Sequence, residues 1–228
     1  MLHAMAFKDR FEAGRKLARA LAGYRDQRPV VLALPRGGVP VAAEVAAALK
    51  APIDLILVRK VGVPFEPELA MGAIVDGDTP LVVRNEDVIL LAGISESQFS
   101  AACERELAEI GRRRRLYLGH RGRAEVAGHT AIVIDDGIAT GATTRAALRA
   151  TRMRDPRRLV LAVPVGPTDN LAALRGEADD IICLEEYEMF GAIGAYYGCF
   201  TQVSDQEVIS LLRRFPLQDA AEAKQAAT

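Results

Sequence analysis

Short apolar runs rich in β-branched residues recur along the chain: VVLAL at 30–34, IDLILV at 53–58, LVV at 81–83, AIVI at 131–134, LVLAV at 159–163 and DIICL at 180–184. They are nearly continuous rather than alternating, the pattern of strands buried on both faces. Helical spacing fills the intervals, over 8–22, 39–49, about 95–117, 143–153 and 168–175. Buried strands alternating with helices predict an α/β fold, a doubly wound, mostly parallel sheet. The long helix opens on a capping box, Ser95 with Gln98, and Phe99, Cys103, Leu107 and Ile110 follow at helical spacing. No internal repeat or linker divides the chain, so residues 1–218 are expected to form one domain. After Leu217 the sequence DAAEAKQAAT has no large apolar residue, and 219–228 are expected to be a disordered tail.

Half of the 228 residues are hydrophobic, enough for a well-filled core. The net charge of −1, from 29 basic and 30 acidic residues, leaves no global attraction to nucleic acid or an anionic membrane. Phosphate affinity must therefore be local. The run Arg112 to Arg115 reads as a solvated helix end, because Glu109 is spaced to pair with Arg113 and cations complement a helix C-terminus. Cys103, Cys183 and Cys199 are far apart and odd in number, which fits small core fillers in a reducing cytoplasm. Lys8, Asp9, Arg10 and Glu12 interrupt any apolar run near the start, so neither a signal core nor a membrane span is expected. His3, His120 and His129 lie in no metal-ligand spacing.

The most informative stretch is AIVIDDGIATGATT at 131–144. A buried strand ends in two adjacent acids and runs at once into a loop poor in bulk. In an open parallel sheet ligands sit beyond the carboxyl ends of the strands, where Asp135 and Asp136 fall. Adjacent carboxylates repel and are costly to bury, so the position calls for hydrogen-bond donors or a cation. Vicinal hydroxyls supply the first and Mg²⁺ the second. Ala139, Thr140, Gly141, Ala142, Thr143 and Thr144 open the next helix, whose first-turn amides and hydroxyls form a cradle for a phosphate. Acids beside such a cradle describe a site for a ribose 5-phosphate. The plain alternative is a capped helix with solvated acids. A Walker B strand is the other, and it needs a GxxxxGK[ST] loop that the chain lacks.

An apolar strand followed by DD and TGAT resembles the signature of the type I phosphoribosyltransferases, which bind phosphoribosyl pyrophosphate (PRPP). The resemblance covers roughly residues 8–215 and extends to a bacterial group sharing KVGVPFEPELAMGAI and QVSDQEV. It implies a small hood region beside the sheet. It also implies a pyrophosphate loop after the first core strand, matched by Pro35-Arg36-Gly37-Gly38, where two glycines allow close approach and Arg36 offers a fork for an anion. Members often hold a cis non-proline peptide at this loop, and the sequence leaves its conformation open. Arg59 and Lys60 match the family's basic pair at the end of the next strand, and GVPFEPELAMGAI resembles the mobile loop that closes on substrate.

The family's acceptor pocket lies in the hood, where Tyr187, Phe190, Tyr196, Tyr197 and Phe200 fall. Phe190 and Tyr196 are the candidates to stack on a flat heterocycle, with burial as hood core the alternative, and Glu68 pairs either with the acceptor or with a basic neighbour. In the 6-oxopurine enzymes the third residue after the acid pair is an aspartate serving as a base for the purine; here it is Ala139, so the acceptor stays open. The implied reaction moves the 5-phosphoribosyl group from PRPP to a nitrogen nucleophile and releases pyrophosphate, with Asp135, Asp136 and Lys60 catalytic. Mg²⁺ would be held mainly by PRPP, within reach of Asp135 and Asp136. The alternative is a PRPP-binding sensor without turnover. Implied partners are PRPP, a small-molecule acceptor and a second copy in a homodimer, with neither nucleic acid nor membrane.

Overall fold

The computed structural model describes residues 5–77 and 79–217; the tail expected over 219–228 lies outside them. In chain order the elements are α1 (Arg10–Ala20), β1 (Pro29–Ala33), α2 (Gly38–Leu49), β2 (Ile53–Leu55), β3 (Val58–Val63), β4 (Glu66–Val75), β5 (Leu81–Arg84), α3 (Glu86–Leu91), α4 (Glu96–Leu118), β6 (Thr130–Ile134), α5 (Ala142–Arg152), β7 (Arg158–Pro167), α6 (Thr168–Ala172), β8 (Asp180–Tyr187) and α7 (Asp205–Leu212). The main sheet is parallel throughout, in the order β2-β1-β6-β7-β8, and β3-β4-β5 form a separate antiparallel sheet. The expected doubly wound α/β architecture is present.

The continuous apolar runs are buried as their pattern requires, every residue of β1 and β6 included. Val31, Ala33, Ile132 and Ile134 face one layer with Leu17 of α1, Val45 of α2 and Val208 of α7. Their sequence neighbours Val30, Leu32, Ala131 and Val133 face the other, with Leu148 of α5 and Leu171 of α6. Each fully buried large aliphatic side chain stabilises by roughly 1.5–3 kcal/mol, whereas an exposed ion pair adds about 0–1 kcal/mol. The two apolar layers therefore hold the sheet, and the many surface ion pairs trim it.

Helix α2 follows β1 onto one face, and α5 follows the adjacent β6 onto the other. The winding reverses between β1 and β6, and a crevice opens beyond their carboxyl ends at such a switch point.

Some expectations need correction. The run 53–58 is not one strand. Ile56 N–H still donates to Ala33 O of β1 at 3.0 Å, but Leu57 O accepts from Asp76 N–H at 2.8 Å, so the chain changes sheets between them. Arg59 and Lys60 thus lie within β3 rather than at the end of a core strand. LVV at 81–83 pairs antiparallel with β4 instead of joining the parallel sheet. Most of the segment that resembles a mobile loop is the β3–β4 hairpin, with Phe65 exposed at its tip. Of the cysteines only Cys103 is buried; Cys183 sits on the sheet's edge strand and Cys199 is exposed beyond it. Helix α7, which periodicity did not reveal, is capped by Ser204, whose hydroxyl accepts from Glu207 N–H at 3.1 Å.

The capping box of α4 is formed. The arginine run behaves as a helix end: Arg112 and Arg113 both donate to Glu109 at 2.7 Å, and together they hold its carboxyl down at about 2, while Arg114 pairs with Asp76 at 2.7 Å. Among the described residues no helix is long and apolar enough to cross a membrane.

Candidate functional site

Because β1 and β6 pair in register up to Ala33 and Ile134, the two loops that follow leave the sheet side by side. Leu34 N–H donates to Ile134 O at 2.9 Å, which pins the start of the first loop to the second. The Pro35–Arg36 peptide is cis. A Cβ on Gly37 would stand 2.0 Å from Asp136 Oδ2, and one on Gly38 would stand 2.7 Å from Ile134 O and 2.9 Å from Asp135 Cα. The double glycine is thus required by contact with the acid pair itself, in addition to any approach of a ligand.

The two acids are held differently. Asp136 is buried; its Oδ2 accepts from Arg10 Nε at 2.7 Å, its carbonyl accepts from the Tyr197 hydroxyl at 2.6 Å, and its N–H donates to Asp135 Oδ1 at 2.8 Å. Asp135 is partly exposed at the crevice. Burial of its carboxyl and then the neighbouring charge of Asp136 push it well above the ordinary carboxylate range, and the bond from Asp136 N–H, followed by the charge of Arg10, opposes the rise. An ionised Asp135 is therefore short of donors, as a group awaiting hydroxyls or a cation would be.

Beyond the acids, Gly141 takes a φ of +76° and turns the chain into α5. No side chain caps this helix, and Arg145 N–H is the first to reach back, donating to Gly141 O at 2.8 Å. The amides of Ala142, Thr143 and Thr144 lack intrahelical acceptors and carry the positive end of the helix dipole. Ala139, Thr140, Ala142 and Thr143 are exposed around them, Thr144 is buried, and the Ala139 carbonyl is tied down by the Asn170 side-chain amide. An anion of phosphate size fits this arrangement.

A phosphoribosyl transferase domain model matches residues 6–197, which spans both loops and the hood as far as Tyr197. The chain belongs to the phosphoribosyl transferase domain family. It is 46% identical over 217 residues to Rv0571c of Mycobacterium tuberculosis strain H37Rv and equally to MT0597 of strain CDC 1551, both named provisionally as phosphoribosyl transferases. Those alignments cover 95% of this chain and 48% of each relative, so the chain spans about half the length of the curated relatives it matches. Among solved structures, TT1426 from Thermus thermophilus aligns with a TM-score of 0.80 at 38% identity, covering 93% of this chain and 100% of that one.

Within this phosphoribosyl transferase domain, the loops 35–38 and 135–144 are brought together, and the remaining candidates are not. Arg59 Nε donates to Glu106 at 2.7 Å, and Lys60 Nζ donates to Glu68 at 3.1 Å, so Glu68 has the basic neighbour as its partner. These four side chains line a cavity of about 400 Å³ on the hairpin that shares no lining residue with the two loops. In the hood, Tyr196 is buried and stacks on Tyr187 at 4.6 Å and on Phe190 at 4.9 Å between centroids, so its ring serves the hood core. Phe190 remains partly exposed.

Arg10 was legible and overlooked: it shares a helical stripe with the buried Ala13, Gly14 and Leu17, and an arginine on an apolar stripe implies a buried anion. Asp205 was the other omission. It accepts from the Tyr117 hydroxyl at 2.5 Å and pairs with Arg36 at 3.5 Å, which ties the first loop to α4 and α7. The Tyr117 bond, then Arg36, hold its carboxyl below the ordinary value. A depressed acid contributes stability above its unfolded pKa, ~3.9, and that contribution disappears as pH falls through the folded value. Asp205→Asn is expected to flatten the acid limb of stability against pH in urea titrations; an unchanged limb would show that the pair is unmade in solution.

Proposed function

We propose that this phosphoribosyl transferase moves the 5-phosphoribosyl group of PRPP onto a nitrogen nucleophile, a nucleobase or related acceptor. The observation that carries the reading is the contact of Gly37 and Gly38 with the acid pair, beside the uncapped start of α5. That contact supports one crevice with a loop for pyrophosphate, acids for a diol and amides for a 5-phosphate, in the order these groups occur on PRPP. Ala139, Thr140, Gly141, Ala142, Thr143 and Thr144 would take the 5-phosphate, Asp135 and Asp136 the ribose, and Arg36, Gly37 and Gly38 the pyrophosphate. Arg59 and Lys60 would join it only when the hairpin swings toward the crevice.

The described residues contain no cluster of three or more His, Cys, Asp or Glu side chains suited to a metal. The acid pair supplies hard oxygen donors, which suit Mg²⁺ brought in by a diphosphate rather than held by the protein alone. Bound there, Mg²⁺ would neutralise charge on the leaving group. The C1–O bond of PRPP breaks with its electron pair going to pyrophosphate, the acceptor nitrogen donates its lone pair to form C1–N, and the nitrogen's proton passes to solvent or a basic group. Loop amides and Arg36 stabilise the departing negative charge, while an Asp135 carboxylate stabilises the positive charge developing on the sugar.

Pyrophosphate release from PRPP with Mg²⁺, screened against purines, pyrimidines and small amines, tests the reading. Release that depends on one acceptor establishes the transferase. Binding of PRPP without release under any acceptor would overturn it in favour of a sensor.

A further inference from the structure

The segment QVSDQEV at 202–208 has no part in the proposed function, yet it meets the first loop at Arg36. Its backbone is fixed from two sides. Val203 and Val208 are buried in the core layer that also holds α2, and Ser204 caps α7 through Glu207 N–H. Asp205, the first residue of α7, is thereby presented to Arg36. We infer that Asp205 is the resting counter-ion of Arg36, from which the guanidinium transfers to the diphosphate of the substrate. The inference rests on the proposed function and gives its pyrophosphate loop a resting partner.

The pair has the geometry of a contact that can be exchanged. Arg36 Nη1 stands 3.5 Å from Asp205 Oδ1, beyond the about 2.7–2.9 Å of a close charge-assisted bond. The same oxygen already accepts from the Tyr117 hydroxyl at 2.5 Å, while Oδ2 has no bond to a described residue. Both side chains are partly open to solvent, Arg36 at 32% and Asp205 at 44%. No other side-chain bond ties Arg36 to a described residue, Asp135 and Asp136 included. Arg59, by contrast, is held by Glu106 at 2.7 Å.

Departure of Arg36 does not strand Asp205. The Tyr117 hydroxyl stays bonded to it, and Arg113 and Arg112 of α4, which also serve Glu109, act on its charge. An acid in the first turn of α7 is favoured by the helix dipole as well. Arg36 needs no loop movement to turn toward the crevice, because the next residue, Gly37, already lies against the Asp136 carboxylate. Resting on Asp205 keeps the guanidinium off the acid pair while the crevice is empty. Asp205 is a positioning residue: it acts on substrate through Arg36.

Calorimetric titration with Mg²⁺ and inorganic pyrophosphate, and with ribose 5-phosphate as the probe that lacks a diphosphate, tests the transfer. Asp205→Asn releases Arg36 and is expected to tighten pyrophosphate by roughly two- to fivefold, the scale of a partly exposed ion pair. Tyr117→Phe removes the donor that shares Oδ1, strengthens the hold on Arg36 and should weaken pyrophosphate by roughly the same factor. Ribose 5-phosphate should change in neither. Arg36→Met should weaken pyrophosphate about tenfold, and adding Asp205→Asn to it should recover nothing. A purely structural contact predicts one sign for Asp205→Asn and Tyr117→Phe, since each removes a bond between α4 and α7; exchange predicts opposite signs.

Weaker or unchanged pyrophosphate binding in Asp205→Asn overturns the inference, as does a change of the same sign in both variants. Tightening that persists in the Arg36→Met background, or a ribose 5-phosphate affinity that moves with that of pyrophosphate, overturns it too. A wild type that binds ribose 5-phosphate but not pyrophosphate overturns this inference and leaves the ribose and 5-phosphate half of the proposed site standing. A wild type that binds neither overturns the proposed function itself.

Discussion

Asp135→Asn is expected to lower PRPP-dependent pyrophosphate release by roughly 10²–10³-fold, the cost of removing one preorganised electrostatic stabiliser from a reacting centre. The same change is expected to raise the melting temperature. Both follow from one circumstance. The Asp135 carboxyl is pushed up by burial and by Asp136, so holding it ionised at neutral pH works against the fold. An isosteric amide removes that conflict and also removes the negative charge that would face the ribosyl cation as pyrophosphate leaves. A gain of about 1 kcal/mol would appear as about 2–4 °C in a domain of this size. Loss of activity with gain of stability marks a residue kept for chemistry at the expense of the fold. Full activity in the variant would remove Asp135 from the reacting centre, and a lowered melting temperature would show that its charge is compensated in the folded protein.

What could be read from the chain and what could not have different physical origins. The strands at 30–34 and 131–134 are buried on both faces, so their continuous apolar runs carry enough signal to identify the parallel sheet. The crevice follows from that topology together with the residue types at 35–38 and 135–144, all of it local information. The hairpin was misread because its burial is uneven: β4 is exposed over its first four residues and buried only toward its end, so no period stands out. The partners of Arg10 and Arg36 were invisible for another reason. Asp136 lies 126 residues from Arg10, and Asp205 lies 169 from Arg36. Such pairings depend on how finished elements pack, and no spacing rule spans them. The hood shows the same limit: its aromatic residues could be listed from sequence, but their division between ring-on-ring packing and the crevice is a property of the assembled fold.

Gly37→Ala is expected to abolish PRPP use although it adds a single methyl group. The methyl carbon would sit 2.0 Å from Asp136 Oδ2 and 2.5 Å from its Cγ, far inside contact distance. The carboxylate cannot rotate away without cost, because the same Oδ2 accepts from Arg10 Nε at 2.7 Å. The first loop must therefore lift off β6 or the Arg10 pair must break, and either movement separates the loop proposed for pyrophosphate from the acids proposed for the ribose. Overpacking of this kind costs roughly 1–3 kcal/mol of stability. The loss of activity should exceed what that instability explains, since the damage falls between two halves of one site. Gly23→Ala supplies the comparison, as a Cβ there meets nothing within 4 Å. It is expected to stay within about 0.5 kcal/mol of the wild type and to keep full PRPP binding. Measuring unfolding free energy and PRPP affinity on both variants separates the outcomes. If Gly37→Ala loses stability but binds PRPP normally, the contact between the loops is structural, and the crevice between β1 and β6 is not where PRPP binds.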